Sequence, residues 1–312
     1  MSPPLYIGPA GWSYPDWYGP VYPPKKTSGF DPLQYMSCYF NLIEINSTFY
    51  RLPAAATAAR WAQRVAPVSD FRFTVKAHQE FTHAKAAVAR NSVEAFKRSI
   101  APLLDAGRLL CVLLQFPWSF KRTDANRRRV LKLVEELRPF STAVELRHGT
   151  WGRDGAVEGL SDSGATICTV DQPLIGDSLG LPRARRGQEA GPERYFRFHG
   201  RNKSEWFKRD TNRDLRYNYL YSRGELKQLA DAVHNVAEAA RQVIVVLNNH
   251  FRGQAVANAL ELKSMLTGAK VAVPGPLLKA YPRLGPIALP DPNETPSEGW
   301  LFDPESAAEQ DQ

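Results

Sequence analysis

Glu44 and Asn46, Glu145 and Arg147, and Arg197 and His199 are polar pairs spaced two residues apart. Each pair closes a short apolar run: Leu42-Ile43-Glu44-Ile45-Asn46, Ala143-Val144-Glu145-Leu146-Arg147-His148 and Tyr195-Phe196-Arg197-Phe198-His199. Residues two apart on a strand share a face, so each pair points one way. Lys76, Gln115, Asp171 and Asn248 stand singly at the ends of further apolar runs. Ionised groups are costly to bury unless paired, so these residues are expected to converge on one polar site. Lys76, Arg147 and Arg197 bring positive charge, and an arginine grips a carboxylate or phosphate through two parallel hydrogen bonds. A small anionic ligand is therefore expected. Glu145, Asp171, His199 and Glu44 are the candidate catalytic groups, because carboxylates and imidazoles are the usual proton carriers. Lys76, Arg147, Arg197, Asn46, Gln115, Asn248, Trp12 and Tyr50 are the candidate substrate-binding residues.

The same side chains admit other uses. Glu44 with Arg147, or Glu145 with Arg197, would serve as ion pairs that only set packing. His148, His199, Glu145 and Asp171 would suit a divalent metal, although no H-x-H, H-E-x-x-H or D-x-D spacing occurs and nearby cations would repel the ion, so a metal is not favoured. Glu44 and Glu145 would suit a glycosidase if they faced each other across a cleft. Lys76 would form a Schiff base if its amine were depressed in pKa, which sequence cannot reveal. His78 and His83 follow Lys76 closely and either line the site or cap the next helix. Asn248-Asn249-His250 is either a polar contact or turn chemistry. Trp12, Tyr14, Trp17, Tyr18, Tyr22, Phe49 and Tyr50 read as a hydrophobic lid or as a stacking rim. Arg127-Arg128-Arg129 occupies successive helical positions and reads as solvated surface, whereas Arg183-Ala184-Arg185-Arg186 lies in an irregular connection where it would steer an anion or a nucleic-acid backbone.

Positioning these groups requires strands, and eight apolar runs supply them: Leu5 to Gly11, Leu42 to Thr48, Phe71 to Ala77, Leu109 to Phe116, Ala143 to His148, Ala165 to Asp171, Tyr195 to His199 and Val243 to Asn248. Helical periods fall at Asp31 to Phe40, Ala54 to Val65, Val93 to Ala106, Asp124 to Leu137, Gly224 to Arg241 and Gly253 to Leu266. Alternating strands and helices imply a parallel sheet, and eight strands imply a single (β/α)8 TIM-type barrel with a polar C-terminal mouth. The connection Gly149 to Gly164 is short, and Gln172 to Pro192 shows no helical period, so a sixth helix is not expected. The barrel domain is assigned to residues 1–273. Residues 274–312, rich in Pro, Gly and acidic residues, read as an extended or partly disordered C-terminal tail. The 312 residues suffice for one such barrel. No apolar run reaches the roughly 20 residues that span a bilayer, and no signal peptide is evident, so a cytoplasmic protein is expected. Cys38, Cys111 and Cys168 are far apart and suggest neither a disulfide framework nor a zinc knuckle. The net charge of +8 favours anionic partners, nucleic acid among them, but is also an ordinary solubility device.

Several of these segments together resemble the domain of unknown function 72 family, also called YecE-like. They are Gly11-Trp12-Ser13-Tyr14 with Trp17, Glu44 through Tyr50, Val75-Lys76-Ala77, Thr82-His83, Leu114 through Pro117, Val144 through His148, Asp171-Gln172-Pro173, Arg197 through Gly200, Tyr219 through Ser222, and Asn248-Asn249-His250. The resemblance runs in order from about Ile7 to Leu266 and implies a TIM-type barrel, similar in fold to endonuclease IV and the sugar isomerases. It implies no established reaction and no catalytic residue. Leu247 stands where the family usually has Phe, and the segment beyond about Pro274 lies outside the shared region. Three functions follow as expectations: a metal-independent hydrolase or lyase acting on a small anion, a metal-dependent phosphodiesterase or nuclease-like protein, and a non-catalytic metabolite-binding protein.

Overall fold

Apolar runs become strands β1 (Leu5–Pro9), β2 (Leu42–Ile45), β3 (Arg72–Lys76), β4 (Leu109–Gln115), β5 (Thr142–Glu145), β6 (Thr166–Ile167), β7 (Thr169–Asp171), β8 (Glu193–Phe198), β9 (Gln242–Leu247), β10 (Val271–Ala272) and β11 (Ala288–Leu289). The computed structural model describes residues 3–153, 156–157, 159–179, 193–206, 213–237 and 240–293. Between the strands lie helices α1 (Pro32–Ser37), α2 (Ala55–Arg64), α3 (Gln79–Thr82), α4 (Arg90–Asp105), α5 (Asp124–Glu136), α6 (Arg223–Ala237), α7 (Gln254–Thr267) and α8 (Gly275–Ala280). Their limits follow local chemistry. Asp31 caps α1 by accepting from the Leu33 and Gln34 amides at 2.8 and 3.3 Å, and Pro32 takes the first turn, where its missing N–H costs nothing. Thr123 caps α5 through the Asn126 amide at 3.1 Å, and Gly268 ends α7 in the left-handed conformation.

The result is a mixed α/β fold with parallel sheets. One sheet has the order β1-β9-β8-β7, a second β2-β3-β4-β5-β6, and β10 pairs with β11. Hydrogen bonding does not close a single eight-stranded ladder as the sequence suggests. The run Ala165 to Asp171 is divided at Cys168, with β6 pairing to β5 and β7 to β8. Across that break the Cys168 amide still donates to the Val144 carbonyl at 2.9 Å. At the other seam, β1 and β2 share only the parallel bridge Ala10 to Glu44 and the Gly11 amide to Glu44 carbonyl bond of 2.8 Å. Gly8 permits that approach, because any Cβ there would overlap the Leu42 carbonyl oxygen.

The sheets face one another, as the 3.0 Å contact between Thr74 Oγ1 on β3 and Tyr195 Oη on β8 requires. Two cores follow from strand alternation. The larger lies between strands and helices and includes Ile43, Phe73, Val112, Val144, Phe196 and Val245. The smaller lies between the sheets and contains Leu42, Cys111, Leu113, Ala143, Cys168, Val170, Tyr195, Ile244 and Val246. Cys111 and Cys168 thus behave as small hydrophobes, as expected of thiols inside strands.

Three further expectations meet the structure differently. The strands stop short of Asn46, Arg147, His199 and Asn248, so those residues begin the loops rather than end the ladders. Between β5 and β6 the described residues form only a 3-10 turn at Gly149–Gly152, pinned by the Trp151 indole N–H on the Phe120 carbonyl at 2.7 Å. The segment after Pro274 is not an extended tail up to Asn293. It forms α8 and a 3-10 turn at Pro282–Ile287, and β11 pairs with β10. Proline supplies preset φ at the starts of both turns, while Leu277 and Leu284 are buried. Asp291, buried, accepts from the Tyr39 hydroxyl at 2.5 Å and the Gly275 amide at 2.7 Å. Arg183 to Arg186, most of the connection where a sixth helix is not expected, and the remainder of the tail lie outside the described residues. Among the described residues, no helix is long and apolar enough to cross a membrane.

Candidate functional site

Strand alternation brings Glu44, Lys76, Glu145 and Arg197 to the space between the sheets, above the smaller core. Arg197 is the centre. Its Nε and Nη2 donate to Glu44 Oε2 and Oε1 at 3.0 and 2.6 Å, a two-point fork, and its Nη1 donates to Glu145 Oε2. Tyr195 adds a hydroxyl bond to Glu44 Oε2 at 2.6 Å. Arg147 donates from Nε to Glu145 Oε1 at 2.6 Å and reaches His199 Nε2 with Nη2 at 3.2 Å. Glu44, Glu145, Arg197 and His199 are buried, whereas Arg147 keeps 13% of its side chain exposed.

These contacts fix protonation. Burial alone would raise the Glu145 carboxyl, but Arg147 and Arg197 overcome it and hold the group well below the usual carboxylate range. Burial likewise opposes the Arg197 charge, and Glu145 and Glu44 more than restore it. His199 Nε2 faces Arg147 Nη2 and, at 3.4 Å, both Arg197 Nη1 and Glu145 Oε1. Burial, reinforced by Arg147 against the pull of Glu145, lowers this imidazole to about 3. On the other edge of the ring, Nδ1 lies 2.9 Å from Asn248 Nδ2.

Lys76 differs from the other cations. Among the described residues it makes no hydrogen bond or ion pair, and its Nζ lies 4.0 Å over the Phe49 ring. Burial first, then repulsion from Arg197, lowers it to about 7, with Glu145 opposing. The loop after β2 packs onto it, since Thr48 Oγ1 donates to the Lys76 carbonyl at 2.6 Å. His83 stands edge-on to the same Phe49 ring, 5.0 Å between centroids, and burial together with Lys76 lowers it to about 4. Asn46, which opens that loop, holds a buried side-chain oxygen with no hydrogen-bond partner. Among the described residues this acceptor is left unsatisfied.

The remaining candidates are distributed elsewhere. Asp171 belongs to an adjoining cluster: Arg201 grips both its oxygens at 3.0 Å from Nε, with Nη2 at 2.9 Å, and Tyr221 donates to Oδ2 at 2.6 Å. Gln115 is buried and donates to the Phe116 carbonyl at 2.9 Å. Trp12 packs edge-on to Trp61 of α2, with its ring 6.4 Å from Phe73 of the larger core, so it turns toward the helices. Tyr50 is 48% exposed beside Phe49. Most of the N-terminal aromatics build a packed lid, in which Trp17 and Tyr22 are fully buried. His148 caps the turn after β5 through Thr150, remote in role from Asp171, and among the described residues no three His, Cys, Asp or Glu side chains gather at metal-ligand spacing.

Sequence reasoning overlooked Thr74, Tyr195, Arg201, Trp206 and Tyr217. The period-two rule exposes the first two, which stand two residues before Lys76 and Arg197. Trp206 and Tyr217 lie in irregular segments without a period, yet Trp206 stacks 5.9 Å from the Arg147 guanidinium and 6.2 Å from His199, with Tyr217 at 6.0 Å. Together they give the positive end of the strands an aromatic wall.

Comparison with known proteins places this site within a shared segment. A family model described as "Protein of unknown function DUF72" matches residues 6–282, which extends the similarity through α8, beyond the limit read from the sequence. The chain is 29% identical to the UPF0759 protein YunF of Bacillus subtilis over 274 residues, 84% of this chain and 94% of that protein. A crystal structure of a DUF72 family protein from Thermotoga maritima superposes with a TM-score of 0.76 at 35% identity, covering 85% of this chain and 99% of that one. One from Enterococcus faecalis gives 0.73 at 26% identity, covering 84% and 95%.

Proposed function

Because the chain belongs to the DUF72 family of proteins of unknown function, and its matched segment contains the whole cluster around Arg197, we propose a function from the chemistry of that cluster: an enzyme that binds a small phosphate- or carboxylate-bearing substrate and moves a proton on it. We read the two sheets as one (β/α)8-type barrel, with Cys168 a break inside the sixth strand and the Ala10 to Glu44 bridge its seam. The polar cluster is then its C-terminal mouth, where barrel enzymes carry their sites.

One observation carries the reading. Glu44 and Glu145 are already paired with Arg197 and Arg147, so among the described residues Lys76 has no anion of its own. An incoming anion supplies what is missing, and the partly exposed Arg147 shares it. Lys76, titrating at about 7, is the proton-transfer group, since a catalytic acid or base works best near the operating pH. Glu44, Glu145 and Arg197 are positioning residues that hold Arg147 and set the local charge. His199, kept neutral by burial, helps fix the Arg147 guanidinium, and Asp171 orders the neighbouring wall through Arg201.

Lys76→Met tests this without undermining the fold, because no internal bond is lost. Titration with inorganic sulfate or lactate, followed by calorimetry and by the fluorescence of Trp206, is expected to give saturable binding to the wild type. The variant should bind at least about tenfold more weakly, the order expected for one charge-assisted contact. Equal affinity in both proteins would remove Lys76 from the site and the reading with it.

A further inference from the structure

We infer that Lys76 is a covalent nucleophile, and that the substrate of this site is an anion carrying a ketone or aldehyde which the Nζ captures as an imine. This rests on the anion-binding reading above and narrows it to a carbonyl compound.

Three features of the structure separate Lys76 from an ordinary binding lysine. The first is that, among the described residues, no acceptor holds the Lys76 amine. An amine held by a carboxylate keeps its proton and its lone pair is unavailable, yet here both nearby carboxylates are taken up by Arg197 and Arg147. The second is the fixed positive charge of Arg197 and Arg147 in a partly buried setting, which disfavours an ammonium there and outweighs the attraction of the Phe49 face beneath Nζ. The lowering to about 7 agrees with both, and leaves a large neutral fraction at neutral pH. The third is the orphaned Asn46 oxygen in the loop that packs on Lys76. It asks for a donor that a bare phosphate or carboxylate in its ionised form lacks and that a hydroxyl beside a carbonyl provides.

The chemistry balances without an external reagent. The neutral Nζ attacks the carbonyl carbon, a C–N bond forms, and the carbonyl oxygen takes up a proton to give a carbinolamine. The nitrogen lone pair then expels that oxygen as water. The two N–H protons lost from Nζ leave on that water, both C–O bonds of the carbonyl have been broken, and a C=N bond remains. Once protonated, this imine accepts an electron pair from the adjacent carbon, so proton removal or carbon–carbon cleavage next to the carbonyl becomes feasible. Arg147 is placed to hold the anionic end.

The experiment uses the full chain with pyruvate and dihydroxyacetone phosphate as probes, each with sodium cyanoborohydride near neutral pH, followed by peptide mass spectrometry. Binding of lactate, an anion with no carbonyl, is measured on the same sample. The expected result is a reduced adduct on Lys76 that saturates with probe, is suppressed by excess lactate, and exceeds labelling of exposed Lys227 and Lys270 by at least about tenfold. Lys76→Arg should give no adduct at that position. Lactate binding with no Lys76 adduct from either probe would overturn the imine while leaving the anion site intact. Labelling spread evenly over surface lysines would overturn it equally. Neither binding nor adduct would remove both.

Discussion

Replacing Arg197 with methionine is expected to cost at least about 3–5 kcal/mol of unfolding free energy, enough to abolish the folded state of a marginally stable protein. The side chain is fully buried and donates to both Glu44 and Glu145, which are buried as well. Methionine fills similar volume but leaves Glu44 with a tyrosine hydroxyl as its charge-side partner and Glu145 with Arg147 alone. The loss therefore measures uncompensated charge rather than a cavity. Urea denaturation at neutral pH checks it, and a cost below about 1 kcal/mol would show that Arg197 does not compensate buried charge in this cluster. Replacing Glu44, Glu145 and Arg197 together by apolar residues of matched size should be far milder than the single change, since intact buried ion networks contribute little net stability. That contrast marks the network as a positioning device.

Lys76→Met is expected to act in the opposite direction, stabilising the protein by roughly 1–4 kcal/mol at about pH 6. The sign follows from linkage. An unfolded lysine titrates near 10.5 and the folded Lys76 near 7, so between those values the unfolded chain binds more protons and stability rises with pH. Below about 7 the folded state carries the full cost of the buried ammonium. The advantage of the variant should therefore be greatest below pH 7 and fade toward the unfolded value, as chemical denaturation across that range would show. A pH-independent difference would mean that Lys76 is not the titrating group. A residue that costs stability in this way and sits among buried charged groups is characteristic of function rather than packing.

The strand-by-strand alternation at Glu44, Glu145, Arg197 and His199 was legible because a period of two survives any error in strand length. Their pairing was legible only as alternatives. Of the pairs the sequence offers, Glu145 with Arg197 forms and Glu44 with Arg147 does not: one guanidinium joins Glu44 and Glu145, with Arg147 bound to the latter. That choice depends on which strands face each other across the interior, and no local pattern encodes it. Asp171 and Trp12 ended outside the cluster because strand-end position fixes the rim but not the direction of the side chain once the ladder stops. The segment after Pro274 misled through composition. Its prolines preset turns, and the anchors that dock it, Leu277, Leu284 and Asp291, are too sparse to give a periodic signal. Lys76 was singled out as a cation, but its lack of an internal partner is a property of the assembled site.

The most direct test of an anion site built around an unpaired, near-neutral lysine is calorimetric titration with sulfate from about pH 6 to about pH 9. Sulfate keeps its charge throughout, so any change belongs to the protein. The account predicts one saturable site whose affinity weakens as pH rises through about 7, the Lys76 midpoint, with no such dependence in Lys76→Met. Absence of binding, or affinity constant across that range, would contradict it.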